Sequence, residues 1–126
     1  MNETENNMNQ IAAAIQRVRV PAEPEEYDIH AAVAEALHQL NIPFTHECVL
    51  APRCRIDFLA GRIGIEIKKG KPMSSPLKKQ LERYLASDRL DGLVVVMQQG
   101  ITLPNTMVGK PVKVLSLNRN WGVALP

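Results

Sequence analysis

The stretch RIDFLAGRIGIEIKKG, residues 55–70, constrains the fold of this chain more than any other. Ile56, Phe58, Ile63, Ile65 and Ile67 alternate with polar or small residues, the period-two signature of half-buried strands. Ala60-Gly61 between the two runs suits a two-residue hairpin turn. With that turn, Leu59 pairs with Arg62 and Asp57 lies opposite Gly64. Side chains alternate across a strand, so one face takes the five apolar residues as core. The other face gathers Arg55, Asp57, Arg62, Glu66 and Lys68.

The flanking segments supply what such a hairpin needs to be covered. Ile29, Val33, Ala36, Leu37 and Leu40 recur at helical spacing and predict a helix over 27–40, stopping at Asn41 ahead of Pro43. Residues 44–50 read as a strand closed by Ala51-Pro52. A second helix is predicted over 77–87, with Ser75 as its cap and Pro76 at the first helical position. Its buried stripe is Leu77, Leu81, Tyr84 and Leu85, and Gln80 stands one turn before Tyr84. GLVVVM at 92–97 reads as a strand covered on both faces, VKVLSL at 112–117 as another, and 102–109 as the loop between them. Residues 118–126 are expected to cover an edge, anchored by Trp121. Residues 1–26 read as a mobile arm, polar and Asn-rich over the first ten. Within it, Ile11, Ala14, Ile15 and Val18 allow a short helix at 11–19, a candidate dimer contact, before PAEPEE interrupts. The expectation is an α/β fold in a single domain over 27–126, its order α-β-β-β-α-β-β.

Composition agrees with one domain. The chain has 126 residues, 45% of them apolar and 22% charged, enough to bury one core, with aliphatic packing because only five residues are aromatic. No run of eighteen apolar residues exists, so no membrane partner is expected. MNETENNMNQ lacks the basic and apolar regions of a secretory signal. Two cysteines, Cys48 and Cys54, cannot build a disulfide scaffold or a four-ligand zinc site. A cytoplasmic protein with both thiols reduced is the expectation. The formal net charge is only +2, but from Arg53 to Arg83 nine bases face three acids. That local excess reads either as a solubilising surface or as the footprint of a polyanion.

Asp57, Glu66 and Lys68 carry the chemistry. Two carboxylates a few Å apart resist joint ionisation unless a cation lies between them. Mg²⁺ prefers oxygen ligands and keeps several waters, so it fits, and the Ile67 carbonyl can offer a third oxygen. Lys68, one strand step from Glu66, can activate a water or steady a developing phosphate charge. These parts together suit metal-assisted phosphodiester hydrolysis; the plain alternative is an exposed salt bridge on a surface hairpin.

Asp57, eight intervening residues, then Glu66-Ile67-Lys68 resembles the core of the PD-(D/E)XK nucleases, a superfamily of restriction enzymes, resolvases and repair nucleases. Gln80 and Tyr84 on the following helix resemble the QxxxY element of its RecB-type branch. The resemblance covers roughly residues 27–97, with Ile56 where the namesake proline would stand. It implies a restriction-endonuclease-like αβββαβ core whose mixed central sheet is flanked by helices. It implies Asp57, Glu66, Lys68, Gln80 and Tyr84 as catalytic residues, the last two steadying the lysine or a phosphate. The implied metal is Mg²⁺, with Mn²⁺ as a substitute, at Asp57, Glu66 and the Ile67 carbonyl. His30 sits about where RecB-type proteins place a histidine ligand; Glu26 and Glu35 are the competitors. DNA is the implied partner, with Arg53, Arg55, Arg62, Lys69 and Lys71 as phosphate contacts and Arg55 foremost. Glu47 is a candidate partner for one of these bases. A chain this small has no separate domain for reading a long recognition sequence. A structure-specific endonuclease of DNA repair or recombination is therefore expected, junction-resolvase-like and able to act as a homodimer. The alternative is a non-catalytic DNA- or protein-binding module on the same fold. An RNA-directed nuclease is a third reading, which the lack of stacking aromatics beyond Tyr84 does not favour.

Overall fold

A computed structural model of the chain describes residues 2–17, 19–20, 24–99 and 101–117. Helix α1 (Glu3–Arg17) begins where the Asn2 side chain accepts a hydrogen bond from the Glu5 amide at 2.8 Å. Glu3 and Glu5 lie at its positive end and Arg17 at its negative end. Met8, Ile11, Ala12 and Ile15 are buried, spaced i, i+3, i+4, i+7 along one face. The reading of residues 3–10 as part of a mobile arm is thereby corrected. Their polar composition is the solvent face of an amphipathic helix, and the apolar face belongs to the core of the same domain.

Helix α2 (Glu26–Gln39) follows, its start secured by the Glu25 amide donating to the Asp28 carboxylate at 2.8 Å. It ends in a Schellman arrangement. The Ile42 amide reaches back to the Leu37 carbonyl and the Asn41 amide to that of His38, with Asn41 left-handed at φ 57°. Strands β1 (Thr45–Ala51), β2 (Cys54–Ala60) and β3 (Ile63–Lys68) form an antiparallel meander. Helix α3 (Ser74–Leu85) then crosses to β4 (Gly92–Met97), which pairs parallel with β3. β5 (Thr106–Met107) is a two-residue strand inside the segment expected to be loop, pairing antiparallel with β6 (Lys110–Ser116). The result is an α/β fold with a six-stranded mixed sheet in the order β1-β2-β3-β4-β6-β5. α1 and α2 cover one face of the sheet, packing on Phe58, Ile63, Ile65, Ile67, Val94 and Val96. α3 covers the other through Leu77, Leu81, Tyr84 and Leu85. β4, buried at every position, lies between them. Trp121 and the rest of 118–126, like Val18, lie outside the described residues.

α3 starts two residues earlier than Ser75-Pro76 suggested. Met73 is the cap residue, and its carbonyl accepts the first helical bond from the Leu77 amide at 3.2 Å. Pro76 falls at the third helical position, where its missing N–H is still one of the helix's unpaired donors.

The hairpin register also differs from the expected one. Ala60 pairs with Ile63, Leu59 with Gly64 and Phe58 with Ile65, so the turn is Gly61-Arg62 rather than Ala60-Gly61. The tight turn needs a positive φ at its first central residue, and Gly61 supplies it at 62° where Ala60 would be strained. Moving the turn by one residue slides the partners by two. Asp57 therefore comes opposite Glu66, not Gly64.

Strict alternation also fails at that point. Phe58 packs on the α1/α2 side, whereas Ile56 packs with Cys48 and Cys54 on the α3 side. His46 pairs with Phe58 and Cys48 with Ile56, so the change of face falls at Glu47 and Asp57. Glu47 carries the irregularity as a left-handed residue, φ 56°. Both faces of the hairpin consequently carry core residues, and of the polar face expected there Asp57, Glu66 and Lys68 remain together as a cluster.

Candidate active site

β2 and β3 separate at Asp57 and Glu66, and the two carboxylates take the place of ladder hydrogen bonds. The Asp57 amide donates to Glu66 Oε1 at 3.2 Å, and the Ile67 amide donates to Asp57 Oδ2 at 2.8 Å. Each acid is thus fixed by the other's strand. Gly64 precedes Glu66 on the same face of β3. A Cβ there would stand 2.5 Å from Ile56 Cδ1 and 2.6 Å from Leu90 Cδ2, so a side chain at this position would have to displace the tips of both.

Glu66 is only 3% exposed. Its Oε2 accepts from the Tyr84 hydroxyl at 3.0 Å and lies 3.3 Å from Lys68 Nζ. Burial, and then the Asp57 charge, push the Glu66 carboxyl up to about 7, against the opposing pull of Lys68, the Asp57 amide and Tyr84. Tyr84 is held above the usual phenol range by burial and by Glu66, so it acts here as a protonated hydroxyl. That hydroxyl also lies 3.0 Å from the Arg55 carbonyl. With Glu66 ionised, one phenolic proton is divided between two acceptors. With Glu66 protonated, Glu66 donates to Tyr84 and Tyr84 donates to Arg55, and every group is satisfied.

His30 of α2 approaches from the opposite face, 9% exposed. Its Nε2 lies 3.6 Å from Glu26 Oε2 and 3.9 Å from Asp57 Oδ2, and is buried without a hydrogen-bond partner. Its Nδ1 lies 2.9 Å from His46 Nε2, while the His46 ring stacks on Phe58 at 4.6 Å between centroids. One hydrogen bridges the two rings: a neutral His30 carries its single N–H on Nδ1 when it donates to His46 and on Nε2 when it accepts from His46, so the two tautomers are linked. Sequence reading passed over His46. The signal was its position in the strand beside Phe58, and it needed the β1–β2 register to be seen.

Of the expected site residues, Asp57, Glu66, Ile67, Lys68, Tyr84 and His30 come together, and Glu26 reaches the rim. Glu35 does not: it lies on the exposed side of α2, accepting from Gln39 at 3.2 Å. Gln80 makes no hydrogen bond to Tyr84, Glu66 or Lys68, and lines a cleft beside Lys68 instead. Among the described residues no group of three or more His, Cys, Asp or Glu side chains is arranged around a common metal position.

The expected phosphate contacts fall into two sets. Arg62 is committed to the fold: it grips both Asp91 oxygens, at 2.7 and 3.0 Å, and the Asp88 carbonyl, tying the hairpin turn to the α3–β4 connection. Lys69 stands 3.7 Å from Glu25, both exposed. Arg53, Arg55 and Lys71 present exposed side chains. Glu47, offered as a partner for one of these bases, is exposed and forms no ion pair among the described residues, because its left-handed backbone turns it out of the strand's alternation.

No family model, no curated protein and no solved structure matches this chain. No helix among the described residues is long and apolar enough to cross a membrane.

Proposed function

We propose that this protein is a metal-dependent nuclease hydrolysing phosphodiester bonds in DNA, on a restriction-endonuclease-like core of the PD-(D/E)XK kind. The observation that carries the reading is the interlocked pair Asp57 and Glu66 on neighbouring strands with Lys68 at 3.3 Å from Glu66. The run α2-β1-β2-β3-α3-β4, with β3 and β4 parallel, supports the same core.

The donor set suits a hard divalent ion. A carboxylate raised to about 7 by burial and by a second carboxylate is one whose charge lacks compensation, and Lys68 supplies only part of it. Mg²⁺, or Mn²⁺ in its place, is held by one or two carboxylates with the remainder water. Asp57 and Glu66 would hold it, with the Ile67 carbonyl as a third oxygen; His30 Nε2, 3.9 Å from Asp57 Oδ2 on the α2 side, would have to move toward the ion to serve as a nitrogen donor. When bound, such an ion polarises a phosphoryl oxygen and favours hydroxide over water. The chain's own groups do the rest. Lys68 places a positive charge beside the acids, where it stabilises negative charge developing on phosphate. Tyr84 fixes the Glu66 carboxylate and remains protonated while doing so. A structure-specific, junction-resolvase-like cut in repair or recombination is the proposed task. A homodimer would match a two-fold junction. Two buried free thiols suit a reducing compartment, and the cytoplasm is the proposed location.

The test is cleavage of labelled linear, nicked, flapped, single-stranded and four-way-junction DNAs in Mg²⁺ and Mn²⁺, with Asp57→Ala and Lys68→Ala alongside and RNA as competitor. Metal-dependent cutting abolished by both substitutions is expected. Absence of cutting, with salt-sensitive binding that survives Asp57→Ala, would leave a non-catalytic binding module.

A further inference from the structure

Beside the carboxylates lies a cleft of about 560 Å³ formed by α3 and the segment leading into it. Its walls carry Lys68, Lys79, Gln80 and Arg83, and Pro72, Pro76 and Leu77 contribute apolar surface. No carboxylate lines it, although α3 also carries Glu82. Lys79 is exposed and forms no ion pair among the described residues. Arg83 spends one guanidinium N–H on the Arg53 carbonyl at 2.7 Å, which steadies the group while leaving its other donors uncommitted. Gln80, half-buried, makes no side-chain hydrogen bond among the described residues. Lys68 belongs both to this cleft and to the Glu66 pair, so the two sites are continuous.

We infer that this cleft is the track for the phosphate backbone of the bound DNA strand, with Lys79 and Arg83 as phosphate contacts and Gln80 as a hydrogen-bonding neighbour. Three cations in a cleft that no carboxylate lines make an anion site, and the apolar surface suits the carbons of a sugar. Continuity through Lys68 selects a polymer that passes from the cleft to the carboxylates. This deepens the proposed nuclease reading and rests on it for the identity of the polymer. It also moves the expected footprint: Arg62, at the opposite end of β3, is tied to Asp91, whereas Lys79 and Arg83 were not among the contacts expected from the sequence.

The experiment measures binding of a short fluorescent duplex by anisotropy in EDTA, from about 50 to about 200 mM salt. Each phosphate contact contributes about 0.9 to the slope of log affinity against log salt, so losing one spares about 3.5-fold in affinity over that range. Lys79→Gln and Arg83→Gln should each flatten the slope by about one contact, and the double variant by about two. Lys113→Gln, the same charge change on β6 and away from this cleft, should leave it unchanged. Thermal unfolding of each variant confirms an intact fold; Lys79, exposed and without an ion pair among the described residues, is the substitution least able to act by unfolding the domain. A wild-type slope in the double variant overturns the inference, as does equal flattening by Lys113→Gln or a wild type that does not bind DNA. Metal-dependent cleavage with an unaltered slope would sink the track and leave the nuclease. A flattened slope in a protein that cuts nothing would do the reverse.

Discussion

Glu66→Gln tests the electrostatics at the centre of the site without removing any volume. In the folded protein the Glu66 carboxyl is pushed from an ordinary 4.5 to about 7, mainly by burial and then by Asp57. The folded state therefore binds a proton more tightly than the unfolded chain does. The stabilisation from protonated Glu66 is complete below about pH 4.5 and is lost as pH rises through about 7. At 1.36 kcal/mol per pH unit, a rise of this size amounts to about 3 kcal/mol of stability, lost between mildly acidic and mildly alkaline solution. The glutamine side chain cannot ionise, so the variant lacks this slope. The Lys68 attraction already holds the folded-state value down to about 7, so the loss of that ion pair in the variant is contained in this figure. Urea unfolding followed by circular dichroism, from about pH 4.5 to about pH 8.5, measures both proteins. Relative to wild type, the variant should gain about 3 kcal/mol across that range, most of it accrued by about pH 7. Addition of Mg²⁺ at alkaline pH should stabilise wild type and not the variant. A stability difference that stays flat with pH would refute the reasoning, since Glu66 would then ionise as freely in the fold as outside it.

Three further substitutions probe other parts of the structure. Met8→Ala should destabilise the domain by about 3 kcal/mol in chemical denaturation, because Met8 is a buried core residue; no change would return residues 3–10 to a loose arm. Gly64→Ala should cost about 1–3 kcal/mol, since its Cβ would meet Ile56 and Leu90 near 2.5 Å; a stability equal to wild type, again by urea unfolding, would contradict this packing. His46→Phe keeps an aromatic ring to stack on Phe58 but removes the nitrogen 2.9 Å from His30 Nδ1. Nitrogen NMR of the His30 ring should change from one fixed tautomer to a mixture, and an unchanged spectrum would exclude His46 as the group that sets it.

Much of this protein is legible along the chain because the relevant interactions are local. The helical spacing from Ile29 to Leu37 and from Leu77 to Leu85 identifies α2 and α3, and the alternation around Phe58 and Ile65 identifies a hairpin. Asp57, Glu66 and Lys68 stand out for the same reason, being charged residues spaced within strands. The first half of α1 escaped such reading: Ile11, Ala14 and Ile15 mark the helix from residue 11 onward, but residues 3–10 are mostly Asn, Glu and Gln and bury only Met8.

Propensity and periodicity act over a turn of helix or a few strand residues, so the chain alone determines its elements, its α/β class and the residue types available for chemistry. Their meeting depends on longer-range terms. The hairpin register follows from where a positive φ costs least, at Gly61, and two residues of slip decide whether Asp57 faces Gly64 or Glu66. The change of face at Glu47 and Asp57 lets one acid address His30 on the α2 side while Glu66 addresses Tyr84 on the α3 side. Neither acid's environment exists until two helices close over opposite faces of the sheet. Burial by that closure is what makes Glu66 hard to ionise, brings His46 onto His30, and opens the cationic cleft beside Lys68.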